Sequence, residues 1–431
     1  MTNNHNKNKK NVVILGLGYV GLPLALLASK NSHNVVGIDL STEKVNLINQ
    51  RRAPFLDSLV DKELATTSMR ASTDAHEIAK ADIIIVCVPT PIYENKLPDY
   101  RPVESACASI AAYLKRGQLI ILESTVNPGV CEEIILPILE RETGLKCGVD
   151  FFLAHCPERI NPGDKKWNVS NIPRVVGGFC QTSLDLAIEF YRSIIGAEIK
   201  PMNSLKEAEA VKVVENSFRN INIAFVNELA MSFDKLGIDV VNVIDGAATK
   251  PFAFMPHYPG CGIGGHCIPV DPHYLIDYAK KYGFEHKFLS IAHHTNEFMP
   301  EYTVSLAEIA LKNQGISMTG TKVAVLGLSY KANIDDCRES PSFEIIKNLE
   351  KRGAQVATFD PYVLGKSTAK TMDEAISGAQ AVIFATSHKA FVELPPEYFV
   401  KNGVKVIIDG RNFLPKEKFI EAGIIFKGIG R

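Results

Sequence analysis

Short apolar runs alternate with helical patterns over the first part of the chain. Strands are predicted over 11–15, 34–38, 82–88 and 119–122, and helical segments over 22–30 and 130–141. The strands read as almost continuous apolar runs, which is typical of a sheet covered on both faces. Strands that alternate with helices in this way indicate a doubly wound parallel sheet.

The same alternation returns near the carboxyl end, with strands predicted over 322–326, 355–359, 381–385 and 404–408. Between the two regions, apolar residues recur at three- and four-residue steps from Leu205 to Leu236, and Gly237 follows. This spacing predicts one long helix with a glycine at its end. Further helices are predicted over 272–282 and 286–314. We therefore predict an α/β fold with two Rossmann-like, doubly wound domains, over 11–204 and 320–431, joined by the long helix within a helical middle domain, 205–314.

The first predicted strand runs directly into Gly16-Leu17-Gly18-Tyr19-Val20-Gly21. A G-x-G-x-x-G turn between a strand and a helix is the fingerprint of a dinucleotide site. Gly16 permits the tight turn, Gly18 the approach of the pyrophosphate, and Gly21 close packing of helix and strand. Asp39 ends the second strand, where a carboxylate binds the ribose hydroxyls and disfavours a 2′-phosphate. The pattern predicts NAD as cofactor, and the alternative is a glycine turn needed only for packing.

A second glycine-rich stretch lies over 259–272 and contains Cys267. Four glycines between positions 260 and 265 exclude a regular helix there and let the backbone approach a ligand closely. Asp271-Pro272 then indicates a helix start. Because a helix N-terminus favours a thiolate, Cys267 is a candidate nucleophile. The alternative is a small buried hydrophobic residue.

Polar residues follow several of the predicted strands: Thr90, Thr125 and Glu158. Because ligands bind at the carboxyl ends of parallel strands, these side chains are expected to line one cleft, although each could equally serve a cap or a turn. On the long helix, Lys212, Asn216 and Asn220 form one polar stripe, which is either functional or simply solvated.

The carboxyl-terminal domain has further candidates for a phosphorylated ligand. Lys331 follows the first strand of that domain, where it could meet a pyrophosphate. Arg338 is a candidate phosphate donor because its planar fork matches phosphate oxygens. Its alternative is a surface ion pair with Asp335.

Composition excludes several classes of function. A net charge of -1 provides no field for nucleic acid or anionic lipid, and no run of 18 apolar residues could span a membrane. The nine cysteines lack paired spacing, which is typical of reduced thiols in a cytoplasmic protein. Cys261, His266, Cys267 and His273 do not match the spacing of a structural zinc site, so no metal is predicted.

Together, an NAD site and a nucleophilic cysteine indicate a particular reaction. A cysteine is needed when an alcohol is oxidised past the aldehyde, since its thiolate forms a thiohemiacetal that can lose a second hydride to give a thioester. Hydrolysis then gives a carboxylate, with two NAD reduced per substrate. The alternatives are a two-electron β-hydroxyacid dehydrogenase, which would not need Cys267, and a nucleotide-sugar sensor without turnover.

The motifs resemble those of the UDP-glucose/GDP-mannose dehydrogenase family, in order along nearly the whole chain. The resemblance is carried by residues 16–23, 87–91, 123–125, 157–159, 209–216 and 264–267, and by Lys331 with Arg338. Gly-Gly-His-Cys-Ile-Pro-Val-Asp-Pro is similar to the N-acetylhexosamine branch. The resemblance implies C6 oxidation of a UDP-N-acetylhexosamine for surface polysaccharide such as O-antigen or capsule. UDP-N-acetylglucosamine is favoured by the 247–259 loop, and UDP-N-acetylmannosamine and UDP-N-acetylgalactosamine remain open.

The resemblance also implies roles for individual residues. The catalytic residues would be Cys267 as nucleophile, Lys212 and Asn216 as oxyanion donors, Asp271 with Thr125 for a water or proton, and Glu158 as base or spacer. NAD would be bound by Gly16, Gly18, Tyr19, Val20, Gly21, Asp39, Pro89, Thr90, Thr125 and Arg338. The UDP-sugar would be bound by Glu158, Arg159, Lys212, Asn216, Lys250, Tyr258, Pro259, Gly260, Gly264, Lys331 and Arg411. A homodimer or larger homo-oligomer is implied, with Arg411 reaching a neighbouring subunit's site.

Overall fold

The computed structural model describes residues 9–93, 97–160, 166–265 and 267–431. The chain divides into two compact units. The first contains residues up to Glu215 together with His273–Phe284, and the second contains Asn216–Pro272 together with Glu285–Arg431. The boundary falls within the long helix, so the segment 205–314 is shared between the two units.

The first unit contains one eight-stranded sheet in the order β3-β2-β1-β4-β5-β6-β7-β8. Its strands are β1 Asn11–Leu15, β2 Asn34–Ile38, β3 Arg70–Ser72, β4 Ile83–Val86, β5 Leu119–Leu122, β6 Phe152–His155, β7 Arg174–Gly178 and β8 Ile199–Pro201. Its helices are α1 Gly21–Lys30, α2 Thr42–Asn49, α3 Ser58–Leu64, α4 Arg101–Ala111, α5 Leu136–Thr143 and α6 Gln181–Ile194. A 3-10 helix spans Ala75–Lys80, and a π-helical turn, Cys131–Ile135, leads directly into α5.

Side chains from alternate positions of the strands fill two cores, one on each face of this sheet. Ile14, Ile85 and Ile121 pack on one face, and Val13 and Ile84 on the other. Both sets are almost completely buried, which explains why the strands are apolar at nearly every position.

One pair of strands departs from the predicted parallel arrangement. β6 and β7 are antiparallel, whereas every other ladder in this sheet is parallel. A parallel pair needs a crossover connection, usually a helix, but an antiparallel pair can be joined at one end of the sheet. The start of β7 therefore lies beside the carboxyl end of β6, which Glu158 follows.

The second unit contains a five-stranded parallel sheet in the order β10-β9-β11-β12-β13. Its strands are β9 Lys322–Leu326, β10 Gln355–Phe359, β11 Ala381–Phe384, β12 Val406–Asp409 and β13 Ile425–Gly428. The remaining helices are α7 Leu205–Leu236, α8 Val240–Ala248, α9 Asp271–Lys281, α10 Lys287–Asn313, α11 Pro341–Lys351, α12 Met372–Ile376, α13 Lys389–Val392, α14 Pro396–Lys401 and α15 Lys416–Glu421, with a 3-10 helix at Leu364–Lys366.

Most element bounds agree with the sequence pattern. β1, β2, β5, β9, β10 and α7 have the predicted limits. The strand predicted over 82–88 is shorter, Ile83–Val86, and β12 spans Val406–Asp409 rather than 404–408. Across the described segments, every helix is too short or too polar to cross a lipid bilayer.

Candidate active site

The loop between β1 and α1 has the geometry of a phosphate-binding turn. Gly16 has a φ of 92°, and a Cβ there would lie 2.6 Å from the carbonyl oxygen of Cys87. A Cβ on Gly21 would overlap the carbonyl oxygen of Gly16. A Cβ on Gly18, by contrast, would meet no described atom within 4 Å. Gly16 and Gly21 are therefore required by packing, and Gly18 leaves open space at the turn.

The N-terminus of α1 is free to bind an anion. Among the described residues, no side chain caps this end, and the first turn carries no acidic residue, so its N–H groups and dipole can meet a phosphate. Asp39, half-buried after β2, accepts hydrogen bonds from the N–H groups of Leu17 and Ser41, each at 2.9 Å. Tyr19 stacks on Phe55 with ring centroids 4.2 Å apart. The open turn, uncapped helix and carboxylate fit an NAD molecule.

Thr90 and Thr125 are linked to each other. The Thr90 hydroxyl donates to the carbonyl oxygen of Thr125 at 2.7 Å, and the Tyr274 hydroxyl donates to the carbonyl of Thr90. Thr90 is buried and Thr125 is half-buried, while the neighbouring Pro89 is exposed. The bonds hold the ends of β4 and β5 together, so that Thr125 is fixed beside the loop that contains Pro89.

Glu158 is held at both carboxylate oxygens. Its Oε1 accepts from the backbone N–H groups of Arg159 and Ile160, each at 2.5 Å, and its Oε2 lies 2.9 Å from Nη2 of Arg174. The Arg159 side chain forms an ion pair with Glu215 at 2.5 Å and donates to the carbonyl of Pro173 at 2.8 Å. Arg159 thus attaches this loop to α7 less than one turn after Lys212. Residues 161–163 of the same motif lie outside the described residues.

A buried group of side chains behind Glu158 was not identified from the sequence. Arg174 is 1% exposed and also approaches Glu123, which accepts a hydrogen bond from the Tyr191 hydroxyl at 2.5 Å. Burial raises the pKa of Glu123 to about 7. In the sequence, an arginine at the start of a strand resembles an exposed residue at a strand end. Only the folded structure brings Arg174 close to Glu123 and Glu158.

In the second unit, Cys267 stands in the turn that leads into α9. Its side chain is exposed, and its carbonyl oxygen accepts from the N–H groups of Val270 and Asp271, at 3.2 and 2.8 Å. His266, the preceding residue of the motif, lies outside the described residues. Asn216 donates from Nδ2 to Asp271 Oδ2 at 2.5 Å, and both side chains are buried. A hydrogen bond therefore connects the polar stripe of α7 to the end of the turn that contains Cys267.

Further residues of the polar stripe on α7 also bond to residues 259–272, which we call the glycine–cysteine loop. Asn220 donates to the carbonyl of Ile268 at 3.1 Å. Asn227, which the sequence analysis missed, accepts from the Gly260 N–H at 3.0 Å and donates to Asn296 at 2.9 Å. Asn227 lies seven residues after Asn220 and hence on the same helix face, so extension of the stripe by two turns would have found it.

The loop glycines allow a close approach to the segment after β9. The Gly265 N–H donates to the carbonyl of Arg338 at 3.0 Å. Cβ atoms on Gly264 and Gly265 would lie 2.6 and 2.8 Å from atoms of Tyr330. Burial raises the pKa of Tyr330, and the nearby Asp336 and Cys267 act in the same direction. The phenol ring thus packs directly against the cysteine loop.

Three basic residues of the second unit have defined surroundings. Lys331 is half-buried, and its carbonyl oxygen accepts from the Ser329 hydroxyl at 3.0 Å. The Arg338 guanidinium binds both oxygens of Asp336, with Nη2 at 2.6 Å. The ion pair considered for Arg338 was with Asp335, and the structure shows one with the adjacent Asp336.

Arg411 forms hydrogen bonds within its own chain, and its implied role at a neighbouring subunit's site stays a prediction. Its Nε donates to the carbonyl of Ala385 at 2.9 Å, and its Nη1 donates to the carbonyl of Gly262 at 3.1 Å. A Cβ on Gly260 would lie 2.8 Å from Nη1. Through its bond to the Gly262 carbonyl, Arg411 supports the glycine–cysteine loop.

The remaining predicted sugar-binding residues lie in the loop before Cys267. Lys250 is exposed, with Nζ 4.8 Å from the ring centroid of Phe252. The Tyr258 hydroxyl donates to Asp245 at 2.7 Å, and Pro259 is buried. Lys250 therefore reaches solvent, whereas Pro259 belongs to the packed base of the loop.

Family models match most of the chain in three consecutive parts. Residues 10–195 match the NAD binding domain of the UDP-glucose/GDP-mannose dehydrogenase family, residues 206–298 its central domain, and residues 324–416 its UDP binding domain. The first match includes the turn at Gly16–Gly21, and the second includes Cys267. Cofactor and nucleotide are thus assigned to opposite ends of the chain.

Individual relatives agree with the family match over nearly their whole length. A UDP-N-acetyl-D-mannosamine dehydrogenase of Pyrococcus horikoshii is 36% identical over 97% of this chain and 99% of its own length. A UDP-N-acetyl-D-glucosamine 6-dehydrogenase of Pseudomonas aeruginosa is 36% identical over 94% and 98%. The solved UDP-D-ManNAc dehydrogenase of Pyrococcus horikoshii superimposes with a TM-score of 0.92, at 35% identity over 98% of this chain and 99% of that one. The chain is therefore an NAD-binding oxidoreductase that belongs to the UDP-glucose/GDP-mannose dehydrogenase family.

Proposed function

We propose that this protein oxidises C6 of a UDP-N-acetylhexosamine, with UDP-N-acetylglucosamine favoured, to the uronic acid. One primary alcohol, two NAD+ and one water are consumed, and one carboxylate, two NADH and three protons are formed. The product would supply surface polysaccharide synthesis. The observation that carries the proposal is the exposed Cys267 in the turn before α9, next to the bonded pair Asn216 and Asp271.

NAD+ supplies a hydride acceptor for each of the two oxidations. Between them, the Cys267 thiolate adds to the aldehyde carbon to form a thiohemiacetal, which the second oxidation converts into a thioester. The N-terminal turn of α9 favours the thiolate form of Cys267 because helix N-termini carry partial positive charge. A two-electron alcohol dehydrogenase would have no use for this group.

Oxygen and proton are handled by the polar side chains of the proposed site. Lys212 and Asn216 donate hydrogen bonds to the C6 oxygen, where negative charge develops. Asp271 and Thr125 hold the water or accept the proton released from the alcohol. Glu158 takes a proton from the water that attacks the thioester, and Cys267 leaves as thiolate.

The nucleotide sugar is assigned to the second unit and the loop before Cys267. Lys331 and Arg411 carry positive charge for the pyrophosphate or the sugar carboxylate, and Arg338 is assigned to the NAD phosphates. For Arg338 to bind a phosphate, its bidentate pair with Asp336 must open or be shared. The side chains of Lys250 and Tyr258 are exposed and can meet the ligand.

A second candidate substrate is UDP-N-acetylmannosamine, the epimer at C2. It is favoured by the Pyrococcus horikoshii relative, which carries that name and has the same overall identity as the Pseudomonas aeruginosa relative. A solved NDP-N-acetyl-D-galactosaminuronic acid dehydrogenase of Methanosarcina mazei, with a TM-score of 0.85, keeps the third epimer open as well. All three share C6 and the acetamido group, so the chemistry is unchanged.

The test is a panel assay of the purified chain with UDP-N-acetylglucosamine, UDP-N-acetylmannosamine, UDP-N-acetylgalactosamine and UDP-glucose. NADH is counted against sugar consumed, and the product is identified by mass spectrometry. We expect two NADH and a uronic acid from one N-acetylhexosamine, with UDP-glucose much slower. One NADH per sugar, or a released aldehyde, would contradict the four-electron reaction.

A further inference from the structure

Arg174 is a buried cation that the proposed chemistry has not used. It lies at the start of β7 and is 1% exposed. Its Nη2 is 2.9 Å from Glu158 Oε2, and its Nη1 is 3.6 Å from Glu123 Oε2. The Tyr191 ring lies 5.9 Å from the guanidinium carbon, and its hydroxyl bonds the other oxygen of Glu123. One guanidinium thus serves two carboxyl groups.

The charges of this group do not balance if both glutamates are ionised. A buried charge is costly unless it is paired, so one cation stabilises one carboxylate much better than two. Glu123 has no solvent-exposed side-chain surface, whereas Glu158 keeps 7% of its side-chain surface exposed. Because burial raises the pKa of Glu123, Glu123 is the carboxyl group that carries the extra proton. The guanidinium charge is then left for Glu158.

The geometry also fixes the orientation of Glu158. The two backbone N–H groups hold Oε1, and Arg174, which stands on a strand, holds Oε2. Two hydrogen bonds at Oε1 and an ion pair at Oε2 both oppose rotation of the carboxylate about its last side-chain bond. A general base must present its lone pair within hydrogen-bond reach of the water it deprotonates, so this orientation affects the rate.

We propose that Arg174 is a positioning residue that holds the Glu158 carboxyl group correctly oriented for thioester hydrolysis, with Glu123 and Tyr191 completing the buried group around the guanidinium. This inference rests on the proposed role of Glu158. Arg174 itself does not touch substrate or cofactor. Loss of Arg174 should therefore slow the release of the acid and leave binding of the UDP-sugar unchanged.

The test compares Arg174→Met, Arg174→Lys and Glu123→Gln with wild type. Covalent adduct on Cys267 is measured by intact-protein mass spectrometry after acid quench, together with kcat and KM against pH. For Arg174→Met we expect kcat to fall by about tenfold or more, within the range of general-base effects, with adduct accumulating. Because hydrolysis of the thioester is then rate-limiting, KM should fall with kcat and kcat/KM should stay close to wild type. Arg174→Lys should lie between.

Glu123→Gln keeps the shape of the group and replaces the protonated carboxyl group by a neutral amide, so it should fold even where Arg174→Met does not. Because the guanidinium is left with one carboxylate in both proteins, Glu123→Gln should release the acid at the wild-type rate and accumulate no adduct. Arg192→Met, an exposed arginine beside Tyr191 on α6, is the matched control and should behave as wild type.

The Glu158→Gln variant distinguishes a failure of the inference about Arg174 from a failure of the proposed function. If Glu158→Gln accumulates adduct while Arg174→Met and Arg174→Lys keep the wild-type adduct level and kcat, the role of Arg174 is overturned and the proposed function stands. If Glu158→Gln hydrolyses the thioester at the wild-type rate, the role of Glu158 in the proposed function is wrong, and the inference about Arg174 is overturned with it.

Discussion

Asn216 and Asp271 are bonded side chain to side chain, with Asn216 Nδ2 2.5 Å from Asp271 Oδ2. One stands on α7 and the other begins α9, and they are 4% and 2% exposed. Asp271 follows Cys267 by one turn, and its N–H donates to the Cys267 carbonyl. The bond therefore connects the long helix with the turn that presents the proposed nucleophile.

Removal of the amide should affect both stability and catalysis. Asn216→Ala leaves a buried carboxylate without this donor, which costs about 1–3 kcal/mol. We expect a lower free energy of unfolding in denaturant titrations and a loss of uronic acid formation larger than the loss of UDP-sugar affinity. Asn222→Ala on the same helix removes only an exposed bond to the carbonyl of Phe218, and it should leave both quantities unchanged. Equal effects of the two variants would contradict a special role for Asn216.

The sulfur of Cys267 is predicted to be needed for acid formation and dispensable for binding. Cys267→Ala should bind the UDP-sugar in calorimetry with an affinity close to wild type and make no uronic acid. Cys180→Ala provides the matched control, because Cys180 also stands directly before a helix, α6, but outside the proposed site. Acid production by Cys267→Ala at near the wild-type rate would exclude the thioester route.

Gly265 should tolerate no side chain. Its φ is 86°, and a Cβ would lie 2.8 Å from the ring of Tyr330, so Gly265→Ala combines backbone strain with a steric overlap. We expect a loss of roughly 1–3 kcal/mol of stability, since strained backbone alone costs that much. Gly246→Ala is the comparison: this glycine lies inside α8, and an added Cβ would meet no described atom within 4 Å. Thermal unfolding should show Gly246→Ala as neutral or stabilised, by about 0.5–1 kcal/mol at most.

His155 predicts a loss of stability in acid. Burial lowers its pKa from 6.5 to about 3, and neither ring nitrogen has a hydrogen-bond partner among the described residues. Between these two values the unfolded chain binds a proton that the folded chain does not, so stability falls as pH falls from about 6.5 toward 3. His155→Leu removes this pH-dependent contribution to stability. The variant should gain stability relative to wild type at pH near 5 compared with pH near 8, measured by denaturant unfolding. A difference that is the same at both pH values would contradict it.

The sequence pattern predicted the strands well because burial on both faces of a sheet leaves few choices of residue. β1, β2 and β9 are apolar runs, and their limits follow directly. The direction of β7 could not be read in this way, because an apolar strand has the same pattern in parallel and antiparallel ladders. That direction depends on the path of the connecting loop.

Side chains of the candidate site could be predicted where helix periodicity places them on one face. They could not be predicted where they contact residues that are distant in the sequence. The stripe of Asn216 and Asn220 follows from helix periodicity, and Asn227 from its extension. Arg174 has no local signal, because its partners Glu123 and Glu158 are supplied by β5 and by the loop after β6. A buried charge in a strand can be recognised only when the fold brings its counter-charge to it.

The apolar faces of α7 and α10 predict self-association. On α7, Phe218 and Phe225 are 47% and 54% exposed and lie seven residues apart, on one face. On α10, Phe288, Ile291 and Phe298 are 68%, 62% and 49% exposed. Large exposed apolar side chains grouped on helix faces are typical of protein–protein interfaces, and a homodimer or larger homo-oligomer is the expected occupant.

Phe225→Glu tests this expectation, because a charge buried at an apolar interface without a partner is strongly unfavourable. We expect light scattering after size exclusion to show a homo-oligomer for wild type and a monomer for Phe225→Glu, with the far-ultraviolet dichroism of the two unchanged. Val149→Glu is the control, since Val149 is 78% exposed and stands in a loop of the first unit. A monomeric wild type, or an oligomer that survives Phe225→Glu and a further Phe298→Glu, would mean that these faces are covered by something other than a second copy of the chain.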